Sequence, residues 1–88
     1  MASVKRDTTI KEYQDFVNDV YGLNNLRNYT ALDMLTNIER FAMRALKGIR
    51  KKDQEKIKTN LLIALSWFMS LTNQLRIDLE GEVANFIS

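Results

Sequence analysis

The sequence predicts an all-α domain of four helices, and three observations carry that reading. Proline is absent and glycine occurs three times in 88 residues, so little interrupts a helical backbone. Apolar residues recur at spacings of three and four instead of alternating as in strands. The segments with that pattern open on Thr or Asp, whose side chains cap helix N-termini.

Residues 1–7 are polar and read as a flexible N-terminus, which leaves 8–88 as a single domain. Thr9 to Glu12 has capping-box spacing and starts a first helix over about 9–22, with Gly22 as its expected stop. Ile10, Tyr13, Phe16, Val17, Val20 and Tyr21 give that helix one apolar stripe, opposite Glu12, Asp15 and Asp19. Asn24 to Asn28 reads as a loop. Thr30 caps a second helix over about 30–48, with Asp33 in its first turn, where the helix dipole favours an anion. Leu32, Leu35, Ile38, Ala42, Ala45 and Ile49 are expected to face inward, widened by Met34, Phe41 and Leu46. Asp53 caps a third helix over about 53–76. Its main apolar face is Ile57, Leu61, Ala64, Leu65, Phe68, Leu71 and Leu75. A separate stripe carries Asn60, Ile63, Trp67, Ser70 and Gln74. A helix this widely apolar needs cover on more than one side, which predicts a second protomer. Asp78 is the expected cap of a short fourth helix, 78–87, that folds back through Leu79, Val83, Phe86 and Ile87.

Composition narrows the chemistry. With no Cys there are no disulfides or thiolate metal sites. With no His, the usual general base near neutral pH and every Ser-His or Cys-His arrangement are excluded. The net charge of +2 is too small for a dedicated nucleic-acid arm. The N-terminus has no apolar leader region, and the apolar run Leu61 to Met69 falls short of the ~20 residues of a membrane span. The expectation is a cytoplasmic protein with no membrane association.

Two passages resemble the MazG-like, all-α nucleotide pyrophosphohydrolases. Asp33 to Asp53 (DMLTNIERFAMRALKGIRKKD) looks like that family's Glu-x-x-Glu helix and the basic turn after it. Lys56 to Val83 (KIKTNLLIALSWFMSLTNQLRIDLEGEV) looks like its Glu-x-x-Asp helix and its Leu-x-Asn-x-Leu-x-Ile-x-Leu-Glu ending, here Leu71 to Glu80. The resemblance implies a helical bundle completed by dimerisation and a carboxylate-held Mg²⁺ that grips a triphosphate. It also places the four metal-binding acids at Asn37, Arg40, Asn60 and Ile63, none of which is acidic. Asp33 and Glu39 are the remaining metal candidates on the second helix, and nothing between Glu55 and Asp78 is a carboxylate.

Three readings stay open. The first is a non-catalytic, degenerate relative that serves as an oligomeric scaffold or binds a nucleotide or phosphate. Asn37, Arg40, Arg44, Asn60 and Trp67 are its candidate ligand residues, the arginines replacing the metal and Trp67 or Phe41 stacking on a base. The second is an active Mg²⁺-dependent hydrolase with an atypical site. The third is a nucleic-acid- or protein-binding module using the basic patch Lys47, Arg50, Lys51, Lys52, Lys56 and Lys58. No aromatics interleave that patch for base stacking, so nucleic acid is the less favoured partner. A homodimer or higher homo-oligomer is expected under the first reading.

Overall fold

The computed structural model describes residues 6–88, so most of the expected flexible N-terminus lies outside the described residues. The described chain is all α: α1 Ile10–Asn28, α2 Ala31–Lys51, α3 Gln54–Gln74 and α4 Leu79–Ile87. Local chemistry sets three of the four starts. Thr9 and Thr30 each close a reciprocal capping box, with Glu12 and Asp33 respectively. Asp53 Oδ1 accepts the Lys56 N–H at 3.1 Å.

α1 does not stop at Gly22. It runs on through the expected loop to Asn28. The physical reason is tertiary: Asn25, near the end of α1, is buried and its Nδ2 donates to Ser70 Oγ of α3 at 2.9 Å. A buried amide-to-hydroxyl hydrogen bond across helices offsets the roughly 1 kcal/mol that one internal glycine costs.

α2 and α3 form an antiparallel hairpin, the most extensive packing in the chain. Gly48 is buried where they meet, and a Cβ there would stand 3.0 Å from Ile57 Cγ1 and 3.1 Å from the Ile57 backbone nitrogen. Only glycine lets the backbones approach this closely. At the far end of the hairpin, Met34 is 1% exposed and lines the same cleft as Ser70 and Gln74. α1 lies along one side of this hairpin, against the α3 side that carries Leu62, Ser66 and Met69.

The inward faces therefore differ from those expected. On α2 the fully buried positions are Met34, Ala45 and Gly48, while Leu32 is 74% exposed and Leu35, Ala42 and Ile49 are also exposed. On α3 the polar stripe Asn60, Ile63, Trp67, Ser70, Gln74 is buried or half-buried, whereas Leu61, Leu65 and Phe68 are exposed. On α1 only Val17 of the expected stripe is fully buried, beside Gln14 and Asn25. In α4, Phe86 is 90% exposed and Ile87 is exposed too, so neither folds back onto the chain.

The junction of α1, α3 and α4 is organised by Gln14, which is 5% exposed. Its Nε2 donates to Ile77 O at 2.6 Å and to Thr72 Oγ1 at 3.1 Å. Its Oε1 accepts the Leu79 N–H at 3.2 Å, and its backbone carbonyl accepts from Asn73 Nδ2 at 2.9 Å. Asp78 holds the N-cap position of α4 but makes no side-chain cap hydrogen bond. Gln14, from another helix, caps α4 in its place.

We predict that Gln14→Ala lowers unfolding stability by about 2–4 kcal/mol, because it leaves several buried polar groups without partners. Gln14→Glu keeps an acceptor for Leu79 but places a carboxylate against the Ile77 carbonyl oxygen, which raises the new group's pKa above its ordinary value of about 4.3. With a raised folded-state pKa, the variant should approach wild-type stability below about pH 4 and fall away as pH rises. Urea melts of both proteins at acid and neutral pH measure this. A gap that stays constant with pH would mean the carboxylate does not occupy the slot.

Candidate functional site

The five candidate ligand residues do not converge on one pocket. Asn37, half-buried, and Arg40, exposed, line a shallow depression with Asn28, Tyr29, Asp33 and Thr36. Trp67 is half-buried and faces a different hollow, beside Tyr21, Ile63 and Ser70. Tyr29 touches both places, because its ring meets Trp67 edge-on at 4.9 Å. Trp67 is thereby engaged with an aromatic neighbour. Arg44 is exposed, and its guanidinium stacks over the Phe41 ring at 4.8 Å. Asn60 Nδ2 donates to Lys56 O at 2.7 Å, so its amide is turned back onto its own helix.

Mg²⁺ does not fit these residues. The ion needs hard oxygen ligands, with at least one carboxylate from the protein. Among the described residues no three acidic side chains come together as a metal site. Asp33 Oδ2 accepts the Thr30 N–H at 2.9 Å, which commits it to the α2 cap. Those hydrogen bonds from the Thr30 backbone and side chain hold its carboxyl below the ordinary 3.8. Glu39 is exposed on α2, apart from any acidic cluster among the described residues.

The basic patch follows the α2–α3 turn. Lys47, Arg50, Lys51 and Lys52 are exposed, and Lys52 sits in the left-handed region at φ 56°. Lys58 pairs with Glu55 at 2.9 Å, and Lys56 is half-buried with its stem against Gly48. Residues on one short turn with an acid among them form a solvated surface rather than a groove.

Sequence reasoning missed two features. One is the buried polar seam of Gln14, Asn25, Ser70 and Thr72 between α1 and α3. Its signal was present: Gln14 falls four residues after Ile10 and three before Val17, a polar residue at an inward position. The other is a polar cleft of about 190 Å³ between α1, the start of α2 and the end of α3. Gly22 lines it, and the Asn18 side chain lies across the place where a Cβ would stand.

No known protein family, curated protein or solved structure matches the chain. No helix of the described residues is long and apolar enough to cross a membrane.

The α2 cap generates a direct prediction. Thr30→Ala should destabilise the fold by about 1 kcal/mol, the usual cost of losing an N-cap hydroxyl. Asp33→Asn should also destabilise, with a pH signature. A carboxyl whose folded pKa lies below 3.8 stabilises above that value and loses its contribution as pH falls through the folded pKa. The difference between wild type and Asp33→Asn in thermal unfolding should therefore shrink below pH 3.8. An unchanged difference down to pH 2 would assign the effect to shape rather than charge.

Proposed function

We propose that this chain is a non-catalytic relative of the MazG-like pyrophosphohydrolases that works as a self-associating helical scaffold, most simply a homodimer. The observation that carries this reading is the apolar face on the side of the α2–α3 hairpin away from α1. On α3, Leu61 and Phe68 stand on that face, 52% and 40% exposed, with Leu65 at its edge, where it also lines the hollow beside Tyr13, Phe16 and Val17 of α1. By helical geometry Leu35, Ala42, Leu46 and Ile49 of α2 lie on the same side. Two antiparallel helices with a shared apolar face make half of a four-helix bundle, and a second copy supplies the other half.

Surface area supports the same reading. A folded monomer of 10.3 kDa is expected to expose about 5,400 Å². This chain exposes 6797 Å², an excess on the order of 1,000 Å². A standard interface removes about 800 Å² from each partner. The radius of gyration, 13.9 Å, likewise exceeds the roughly 12 Å of a compact chain of this length. The non-catalytic part rests on Asn37, Arg40, Asn60 and Ile63 standing where the resemblance calls for acids. A cysteine-free composition is compatible with the reducing cytoplasm.

Sedimentation equilibrium tests the assembly: the chain should run at a multiple of 10.3 kDa at micromolar concentration, a free energy of association near 8 kcal/mol. Leu61→Glu and Phe68→Glu, which bury a charge in the proposed seam, should shift it to monomer. A monodisperse wild-type monomer at about 100 µM, an affinity too weak for a stable scaffold, would sink the reading. With Mg²⁺ or Mn²⁺ and each nucleoside triphosphate, no pyrophosphate release is expected. Release that disappears in Asp33→Ala and Glu39→Ala would restore an enzyme.

A further inference from the structure

The polar cleft on the other side of the hairpin has the composition of a ligand site. Asn18 and Asn25 of α1, Ser70, Asn73 and Gln74 of α3, and Arg76 just beyond α3 all line it. Arg76 is the only charged residue in that lining, and it forms no ion pair among the described residues. Asp78, a nearby acid, lies over Gly81 instead, 2.7 Å from where a Cβ there would stand.

Two observations indicate that the cleft is unsatisfied as it stands. Gln74 Oε1 is the buried side-chain oxygen without a hydrogen-bond partner among the described residues. Leaving such an acceptor unpaired disfavours the fold, and a group that donates to it removes the penalty. Arg76 also sits in the left-handed region, at φ 58°, at the end of α3. Ile77 N–H bonds Thr72 O at 2.9 Å and Arg76 N–H bonds Asn73 O at 3.1 Å, the double closure of a helix terminus at which glycine is the usual residue. An arginine held there at a conformational cost stands in the lining of the cleft.

We propose that this cleft binds a small anion carrying its own N–H donor next to the charge. Arg76 holds the anionic group through a charge-assisted fork, and the Gln74 amide turns toward the cleft so that Oε1 accepts from the donor. Asn73 Nδ2 is occupied by the Gln14 carbonyl, which leaves its Oδ1 available as a second acceptor. A volume near 190 Å³ equals about six waters at roughly 30 Å³ each, so the ligand is the size of an amino acid or a short phosphate ester. Gly22 keeps the wall open, since a Cβ there would stand 2.4 Å from Asn18 Oδ1 and push that side chain aside.

The test uses the full chain and ¹H–¹⁵N NMR, following the side-chain amides of Asn18, Asn73 and Gln74 and the Arg76 Nε–H. Phosphoethanolamine and L-glutamine are the probes; methyl phosphate and acetate are the controls that lack a donor. Saturable shifts confined to these groups at about millimolar concentration are expected for at least one probe, with the matching control at least about tenfold weaker. Phosphoethanolamine alone assigns a phosphate, and glutamine alone a carboxylate. Arg76→Gly and Gln74→Met should lose binding while melting at or above the wild-type temperature, because each removes a strained or unsatisfied group. Lys52→Gly relieves the same backbone conformation at the other turn and should leave binding unchanged. No saturable shift up to about 20 mM, equal binding of the controls, or binding retained in both variants would overturn the assignment.

Discussion

The arrangement of the helices depends on how one buried amide is satisfied. Gln14 spends both donors and its side-chain acceptor on groups separated from it by more than half the chain: Thr72, Ile77 and Leu79. An amide buried this deeply stabilises only the geometry in which every partner is present, because leaving any one unpaired costs about as much as a hydrogen bond contributes. It therefore fixes the approach of α1 to α3, the turn that ends α3 and the first residue of α4 together. The left-handed Arg76 lies inside the segment so fixed, between Thr72 and Ile77. The fold thus holds an arginine in a conformation that its own side chain disfavours.

Local chemistry was legible in the sequence and long-range choice was not. Thr9, Thr30 and Asp53 act as caps because capping involves a side chain and a backbone three residues away, all visible in a short window. The end of α1 was misread for the opposite reason. Gly22 weakens a helix locally, but Asn25 is anchored to Ser70, a partner 45 residues away. On α2 and α3 the inward faces are rotated from the expected ones: Met34, Ala45 and Met69 are buried as expected, while Leu32, Leu35, Leu61 and Phe68 are exposed. Periodicity identifies an apolar stripe, yet it does not say whether the same chain or another one covers it. Here the mixed stripe Asn60, Ile63, Trp67, Ser70 and Gln74 packs within the chain, and Leu61 and Phe68 face outward.

Of the candidate site, the residue types were legible and their meeting place was not. Asn37 and Arg40 share a depression, but Arg44 turns onto Phe41, Asn60 onto Lys56 and Trp67 toward Tyr29. The first two engagements are local to one helix, and the third joins α3 to the turn before α2. Side chains engaged in this way act as structure in this chain. The polar groups left wanting lie elsewhere, at the α3 terminus, where Gln74 Oε1 has no partner among the described residues.

The hairpin then has two sides with different physics. The outer side offers apolar area without hydrogen-bonding demand, which suits a surface that must associate without fine directional constraint. The inner side, under α1, combines buried apolar side chains, Val17 and Met69, with amides and hydroxyls that run from Gln14 and Asn25 to Ser70 and Thr72. The directional polar contacts set how α1 approaches α3, and the cleft lies at the Asn25 and Ser70 end of that seam. A chain of 88 residues has too little apolar material to seal both sides by itself. On this view the cleft beside Gln74 and Arg76 and the proposed self-association surface are two consequences of that shortage.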